Sequence, residues 1–174
     1  LFVADSLSNS RKGFAYLAKA IQQLEDKEVL LCAVGKLDAS IKGMERVRAL
    51  GSITDERVMS LAYNAADAFV IPSLMDNLPN TVLESLACGT PVIGFPVGGI
   101  VDMVQPGTNG MLTSEISVQA LAKTIESYLD GDMQFDRSHI SAQAKAKYDQ
   151  HIQAKAYHSL FASLMDEENT TSYV

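Results

Sequence analysis

The chain has 174 residues, of which 47% are apolar and 20% are charged, and its formal net charge is −7. The length favours one domain, and the composition is typical of a globular protein. The sequence contains no basic stripe that would indicate nucleic-acid binding and no apolar run of the roughly 18 residues that span a membrane. It also has no basic segment at its start that would indicate a signal peptide.

The start of the chain and its cysteines suggest where the protein belongs. The sequence opens at Leu1 without an initiator Met and inside a predicted strand. We therefore expect a fragment whose upstream part is missing. Cys32 and Cys88 both stand among apolar residues. Two buried thiols fit a reducing compartment better than a disulfide, so we expect a cytoplasmic protein, with any peripheral membrane contact in the missing part.

Apolar runs and helical spacing divide the chain into alternating elements. Short apolar runs predict strands at residues 1–4, 29–34, 47–50, 68–71 and 92–95. Helical spacing predicts helices that begin near Lys12, after an N-cap at Thr54, at Asn80, at Ile100 and after an N-cap at Ser117, with two more at 136–147 and 150–165. Strands that alternate with helices indicate an α/β fold, with a doubly wound parallel sheet and helices on both of its faces.

Two of these helices carry further predictions about packing. The helix after Thr54 is expected to bury a stripe that consists of Val58, Leu61, Ala62 and Ala65. The last helix has a one-sided apolar face, and we expect Tyr157 and Phe161 on it to pack against the missing domain. Residues 1–165 form the predicted domain, and the acidic polar tail at 166–174 is expected to be disordered.

A basic pair, Arg11 and Lys12, stands at the start of the first helix, beside Gly13. Positive charge there opposes the helix dipole, a cost that a bound anion would offset, and a glycine lets a ligand approach the backbone. The same residues also fit a solvated basic pair at a helix start. The spacing alone leaves both interpretations open.

The most informative stretch runs from Pro72 to Gly94. Pro72 ends a strand that is apolar throughout, a polar loop follows, and a helix then begins at Asn80. Ligands of α/β folds bind at the carboxyl ends of the strands. Asp76 and Glu84 therefore flank a helix N-terminus at the predicted ligand-binding edge. The alternatives are a turn at Asp76 and Asn77 that caps the helix, and an ordinary exposed acid at Glu84.

Together these motifs resemble the C-terminal half of retaining glycosyltransferases of family 4, which have the GT-B fold with Rossmann-like domains. The resemblance covers nearly the whole chain. It rests on the run from Pro72 to Gly94 and on the motifs at 11–13, 33–35, 50–53, 98–99 and 107–110.

The resemblance implies a role for individual residues. Lys12 would bind the donor diphosphate, Glu84 the ribose hydroxyls and Asp76 the region of the donor sugar, so these three form the predicted catalytic set. The predicted nucleotide-sugar-binding residues are Arg11, Lys12, Gly35, Ile53, Asn77, Leu78, Asn80, Thr81 and Glu84. The sequence departs from the family where Asp76 stands in place of a more common Glu and Pro79 in place of a common Gly.

The implied function is the donor-binding domain of a retaining glycosyltransferase. It would move a sugar from a nucleoside-diphosphate sugar to a hydroxyl of an acceptor glycan, lipid or polysaccharide. The missing N-terminal domain would bind the acceptor, so the fragment alone is expected to be inactive. We expect no cofactor and no metal, since no cluster of metal ligands stands out. The alternatives are a non-catalytic nucleotide-binding module and a nucleotide-sugar epimerase of related fold.

Overall fold

The computed structural model describes residues 1–36 and 43–170, with side chains as far as residue 165. Within these ranges the strands are β1 Phe2–Ser6, β2 Leu31–Lys36, β3 Val47–Gly51, β4 Phe69–Ile71, β5 Val92–Gly94 and β6 Gly110–Leu112. The helices are α1 Phe14–Gln22, α2 Glu56–Ala65, α3 Asn80–Ala87, α4 Ile100–Met103, α5 Val118–Leu129, α6 Arg137–Tyr148 and α7 Gln150–Thr170.

All strand pairs in the described residues are parallel, in two groups ordered β1-β2-β3 and β4-β5-β6. The groups meet at Leu1, whose amino group donates to the Ala68 carbonyl at 2.8 Å and whose carbonyl accepts from the Val70 N–H at 2.8 Å. The spatial order is therefore β3-β2-β1-β4-β5-β6, with the direction of winding reversed between β1 and β4. The predicted α/β fold with a doubly wound parallel sheet is confirmed.

Each face of the sheet buries its own apolar cluster, which explains why the central strands are apolar throughout. In β4, Val70 packs with α1 and α5 on one face, whereas Phe69 and Ile71 pack with α2, α3, α4 and α6 on the other. Successive side chains of a strand point to opposite faces of the sheet. A strand that is covered on both faces therefore buries all its side chains, and polar residues are disfavoured at every position. The sheet is covered by helices on both faces, as the alternating elements predict.

Helix α2 differs from the prediction in its cap and in its buried face. Its N-cap is Asp55 rather than Thr54, because the Asp55 carboxylate accepts from the N–H groups of Arg57 and Val58. Val58, Leu61 and Ala65 of the predicted stripe are exposed, whereas Ala62 packs inward as predicted. The other residues that pack inward are Met59, Tyr63 and Ala66. Both sets satisfy helical spacing, and the difference is a rotation of the helix that brings Tyr63 into the core.

Other boundaries moved by a few residues. Strand β2 runs to Lys36, so Gly35 lies inside the strand instead of ending it. Lys12 belongs to a single 3₁₀ turn, Ser10–Lys12, and Gly13 is the N-cap of α1. Ser117 caps α5 as predicted, with its hydroxyl accepting from the Ala120 N–H at 3.0 Å.

The C-terminal part consists of one packed helix and one exposed helix. Ile140 and Ala144 of α6 are buried, whereas the side chains of α7 that are described, among them Tyr157 and Phe161, are exposed. Helix α7 continues to Thr170, past residue 165 where the prediction ended it, and residues 171–174 lie outside the described part. No helix of the described residues is long and apolar enough to cross a membrane.

Candidate functional site

A cleft of about 680 Å³ lies at the carboxyl ends of β1, β2 and β3, beside α3 and the loop that precedes it. It adjoins the point between β1 and β4 at which the winding reverses, where ligands of such sheets bind. Most of the predicted site residues line this cleft, namely Lys12, Gly35, Ile53, Asp76, Leu78, Asn80, Thr81 and Glu84. Arg11 and Asn77 are exposed and are not among the lining residues. One cavity therefore gathers residues that are more than 70 positions apart in sequence, from Lys12 to Glu84.

The charges at the centre of the cleft are paired. The Lys12 ammonium donates to Oδ2 of Asp76 at 2.7 Å, and the Ser73 hydroxyl donates to the same oxygen at 3.2 Å. The side chains of Lys12 and Asp76 are 31% and 13% exposed, so the lysine remains within reach of a ligand. The carboxylate holds the long lysine chain at the cleft.

The pair forms because two loops contact each other through their backbones. An added Cβ at Gly13 would lie 1.8 Å from the carbonyl oxygen of Pro72, and the residue has a φ of +72°. Only glycine allows both this approach and this left-handed conformation. The Leu74 N–H also donates to the Arg11 carbonyl at 2.8 Å. The structure thus gives Arg11 a backbone role, and its predicted contact with the nucleotide stays a prediction.

Glu84 is tied to the core by a residue that the sequence analysis did not single out. The Tyr63 hydroxyl donates to Oε2 of Glu84 at 3.0 Å, and the Tyr63 side chain is 1% exposed. Burial, and after it the negative charge of Glu84, raises the pKa of the Tyr63 phenol. The phenol therefore stays protonated and remains a donor at neutral pH. Glu84 itself is exposed at the cleft.

The N-terminus of α3 opens into the cleft without a side-chain cap. Its N-cap is Pro79, and no side chain bonds to the first N–H groups of the helix. The alternative in which Asp76 or Asn77 caps this helix is wrong. The first turn, with Asn80 and Thr81, thus presents backbone donors to the cleft, and such a terminus favours anions.

The packing of two strands requires a glycine at position 35, whether or not a ligand binds there. An added Cβ there would lie 2.2 Å from the Ala4 carbonyl oxygen, so the glycine lets β1 and β2 approach. It lines the cleft as well, and its contact with a nucleotide stays a prediction. Lys36 and Met59 also line the cleft and were not predicted. Lys36 directly follows Gly35 in the sequence, and its charge at that position could have indicated it.

Among the described residues, no three His, Cys, Asp or Glu side chains gather closely enough to hold a metal ion. The expectation that the protein works without a metal or cofactor stays a prediction. Cys32 and Cys88 are free and half-buried, rather than fully buried as the sequence analysis expects.

A doubly wound parallel sheet with a polar cleft at the carboxyl ends of its strands, next to an uncapped helix N-terminus, defines a Rossmann-like ligand-binding domain. The family model described as "Glycosyl transferases group 1" matches residues 1–131. The chain belongs to this glycosyltransferase family.

Relatives and structural neighbours agree with this family. The chain is 28% identical to D-inositol 3-phosphate glycosyltransferase of Corynebacterium jeikeium, over 88% of this chain and 41% of that protein. It is 28% identical to 2-deoxystreptamine glucosyltransferase of Streptomyces kanamyceticus, over 68% of this chain and 33% of that protein. Among solved structures, sucrose-phosphate synthase from Thermosynechococcus elongatus superposes with a TM-score of 0.75 at 26% identity, over 93% of this chain and 45% of that one.

A further neighbour, Anabaena Alr3699/HepE in complex with UDP, superposes with a TM-score of 0.79 at 22% identity, over 93% of this chain and 48% of that one. These neighbours have the GT-B fold, and the chain has the fold of a GT-B half. The chain spans less than half the length of the relatives it matches. The predicted fold class is confirmed, and so is the predicted membership in a glycosyltransferase family.

Proposed function

We propose that this chain is the donor-binding, C-terminal half of a retaining glycosyltransferase that takes its sugar from a nucleoside diphosphate. One observation carries the proposal. Lys12, the uncapped N-terminus of α3 and Glu84 all converge on the same cleft. A diphosphate requires positive charge and N–H donors, and a ribose requires an acceptor for adjacent hydroxyls. The cleft offers all of these.

The diphosphate is bound by Lys12 and by the backbone at Asn80 and Thr81. The ammonium supplies charge and the helix N-terminus supplies donors. When the diphosphate binds, the Lys12 ammonium either leaves Asp76 for a phosphate oxygen or contacts both groups at once. The Asp76 carboxylate is left free to accept from a hydroxyl of the donor sugar. The shorter side chain of Asp76, compared with the common Glu, sets how deeply that sugar sits.

The ribose is bound by Glu84. One of its oxygens already accepts from Tyr63, and the other is available for a ribose hydroxyl. Carboxylate acceptors bind hydroxyl groups more strongly than neutral acceptors do. Ile53 and Met59 line the same cleft and provide an apolar surface for the base. The UDP bound to HepE, which shares the fold, makes a uridine nucleotide the first candidate.

Transfer of the sugar builds negative charge on the departing diphosphate. Fixed donors aimed at developing charge lower such a barrier, and one donor is typically worth about 3 kcal/mol. Lys12 and the first turn of α3 are the donors of this chain. The acceptor hydroxyl attacks from the side on which the diphosphate departs, so that the anomeric configuration is retained.

The acceptor is bound by an N-terminal domain that closes over the cleft, and the present chain alone transfers no sugar. Closure of two domains assembles a site and excludes water. The exposed apolar side chains of α7, which include Tyr157 and Phe161, provide a surface for that domain. The acceptor is a glycan, a lipid or a polysaccharide precursor, and the protein works in the cytoplasm, with any membrane contact through the other domain.

Calorimetric titration of the chain with UDP, GDP, ADP and inorganic phosphate tests the donor site. We expect one nucleotide to bind selectively and phosphate alone to bind weakly. Lys12→Ala removes a charged donor and leaves Asp76 to repel the diphosphate, so we expect affinity to fall about 10- to 100-fold. Glu84→Ala should lower it about tenfold.

The matched controls are Lys19→Ala on α1 and Glu126→Ala on α5, which remove the same charges from exposed positions outside the cleft. Both should bind like the wild type. If the controls weaken binding as much as the cleft variants do, the effect is one of net charge and the proposed site is wrong. Retention is tested with the complete enzyme, by NMR assignment of the anomeric configuration of the product.

A further inference from the structure

The contact between Tyr63 and Glu84 joins the core to the cleft. Tyr63 lies on α2 and is buried, whereas Glu84 lies on α3 and is exposed at the cleft. The Tyr63 ring packs edge-on against Phe69 of β4, with ring centroids 5.6 Å apart and planes at 83°. Its phenol is therefore fixed by packing when it donates to Oε2 of Glu84 at 3.0 Å.

The backbone of Tyr63 is fixed as well. The hydroxyl of Thr90, which is fully buried, donates to the Tyr63 carbonyl at 2.7 Å. The same hydroxyl accepts from the Arg137 guanidinium at 2.8 Å. Arg137 also donates to the carbonyls of Asn64 and Ala66, at 3.0 and 2.8 Å. The end of α2 is thus held at the carbonyls of Tyr63, Asn64 and Ala66, and the phenol has a defined position.

We infer that Tyr63 is the positioning residue for Glu84: it holds one carboxylate oxygen so that the other meets the ribose hydroxyls. The inference rests on the proposed function, because it assumes that Glu84 binds a ribose. A free glutamate on an exposed helix face samples several rotamers, and ordering it on binding costs affinity. A carboxylate already held by a buried phenol avoids that cost. Tyr63 therefore contributes to ribose recognition without touching the ligand.

The test compares ribose with deoxyribose. Binding of UDP, GDP and ADP and of their deoxyribose counterparts is measured on the full chain. For the nucleotide that binds best, we expect the wild type to prefer the ribose form about tenfold or more. In Tyr63→Phe the preference should fall to about threefold or less, mostly through weaker binding of the ribose form. Tyr128→Phe is the matched control, since it deletes a phenol that donates to the Asp67 carbonyl at 2.7 Å. Its preference should be unchanged.

Further variants separate positioning from a general loss of structure. Lys12→Ala should weaken both forms of the nucleotide equally and keep the preference. In a Glu84→Ala background, Tyr63→Phe should have no further effect on the preference, because the two residues act as one unit. If Tyr63→Phe does not fold, Glu84→Asp serves instead, since it draws the carboxylate away from the phenol and leaves the core intact. It should lose the same preference.

The outcomes distinguish this inference from the proposed function. If a folded Tyr63→Phe, or Glu84→Asp in its place, keeps the ribose preference of the wild type, the positioning role is overturned while the donor site stands. If the wild type binds a nucleotide without a ribose preference, the role of Glu84 is overturned, and the positioning role with it. If the wild type binds none of the nucleotides, the proposed function is overturned, and so is the inference that rests on it.

Discussion

The contact between Gly13 and Pro72 offers a quantitative test of how the cleft is assembled. In Gly13→Ala, the new Cβ would lie 1.8 Å from the Pro72 carbonyl oxygen. An ordinary contact between carbon and oxygen is roughly 3.3 Å, so one loop must move by about 1.5 Å. The left-handed conformation of an alanine costs roughly 1–2 kcal/mol, and overpacking costs roughly 1–3 kcal/mol more. We expect Gly13→Ala to lose about 2–5 kcal/mol of unfolding free energy.

The matched control is Gly131→Ala. Gly131 has a φ of +78°, similar to the +72° of Gly13, but an added Cβ there meets no atom within 4 Å. Both variants place an alanine in a left-handed conformation, and both reduce the entropy of the unfolded chain. The difference between their losses of unfolding free energy therefore measures the clash alone. Urea denaturation followed by circular dichroism gives both free energies. If the two variants lose the same free energy, the contact between the loops does not determine the position of Lys12.

Three more predictions concern stability. Arg137→Ala should lose about 3 kcal/mol in urea denaturation, because it leaves the buried Thr90 hydroxyl and two carbonyls without their donor, and a loss below about 1 kcal/mol would contradict this. Ser117→Ala should lose about 1 kcal/mol through the missing cap of α5, whereas the neighbouring, exposed Ser114→Ala should lose almost nothing. The raised pKa of Tyr63 means that the folded chain keeps a proton that the unfolded chain releases above its ordinary pKa of 10.0. Stability therefore falls as the pH rises past that value, and Tyr63→Phe should make the fall shallower by at most about 1.4 kcal/mol per pH unit. Equal slopes in the two proteins would show that Tyr63 titrates normally.

The sequence was sufficient to predict the order of strands and helices, apart from β6 at Gly110–Leu112, because most signals in it are local. The run at 68–71 is apolar throughout, and this indicates burial on both faces. The rotation of α2 was not predictable in the same way. Val58 and Leu61 are better apolar candidates than Tyr63 by composition, and the hydrogen bond from its hydroxyl to Glu84 is what allows Tyr63 to be the core residue instead.

Only the site residues that belong to recognisable sequence motifs were predicted. The positions of Lys12, Asp76 and Glu84 near helix starts singled them out, their roles came from a resemblance, and the structure places all three at one cleft. The two hydroxyl groups that hold the acids, those of Ser73 and Tyr63, escaped prediction. Their role depends on tertiary contacts that no spacing reveals. Asp55 rather than Thr54 as the cap of α2 is a smaller case, since both residue types cap helices and only geometry decides.

The anchoring of α2 by Arg137 also affects the order of events during synthesis. The bonds from Arg137 to Asn64, Ala66 and Thr90 span 73, 71 and 47 residues. Nascent chains are synthesised from the N-terminus at roughly 5–20 residues per second, so the strands and the loops of the site are synthesised before this arginine. Contacts of such long range form slowly, because the chain loses the entropy of closing a long loop before the contact stabilises it. The end of α2 therefore gains its anchor only after Arg137 and the rest of α6 have been synthesised.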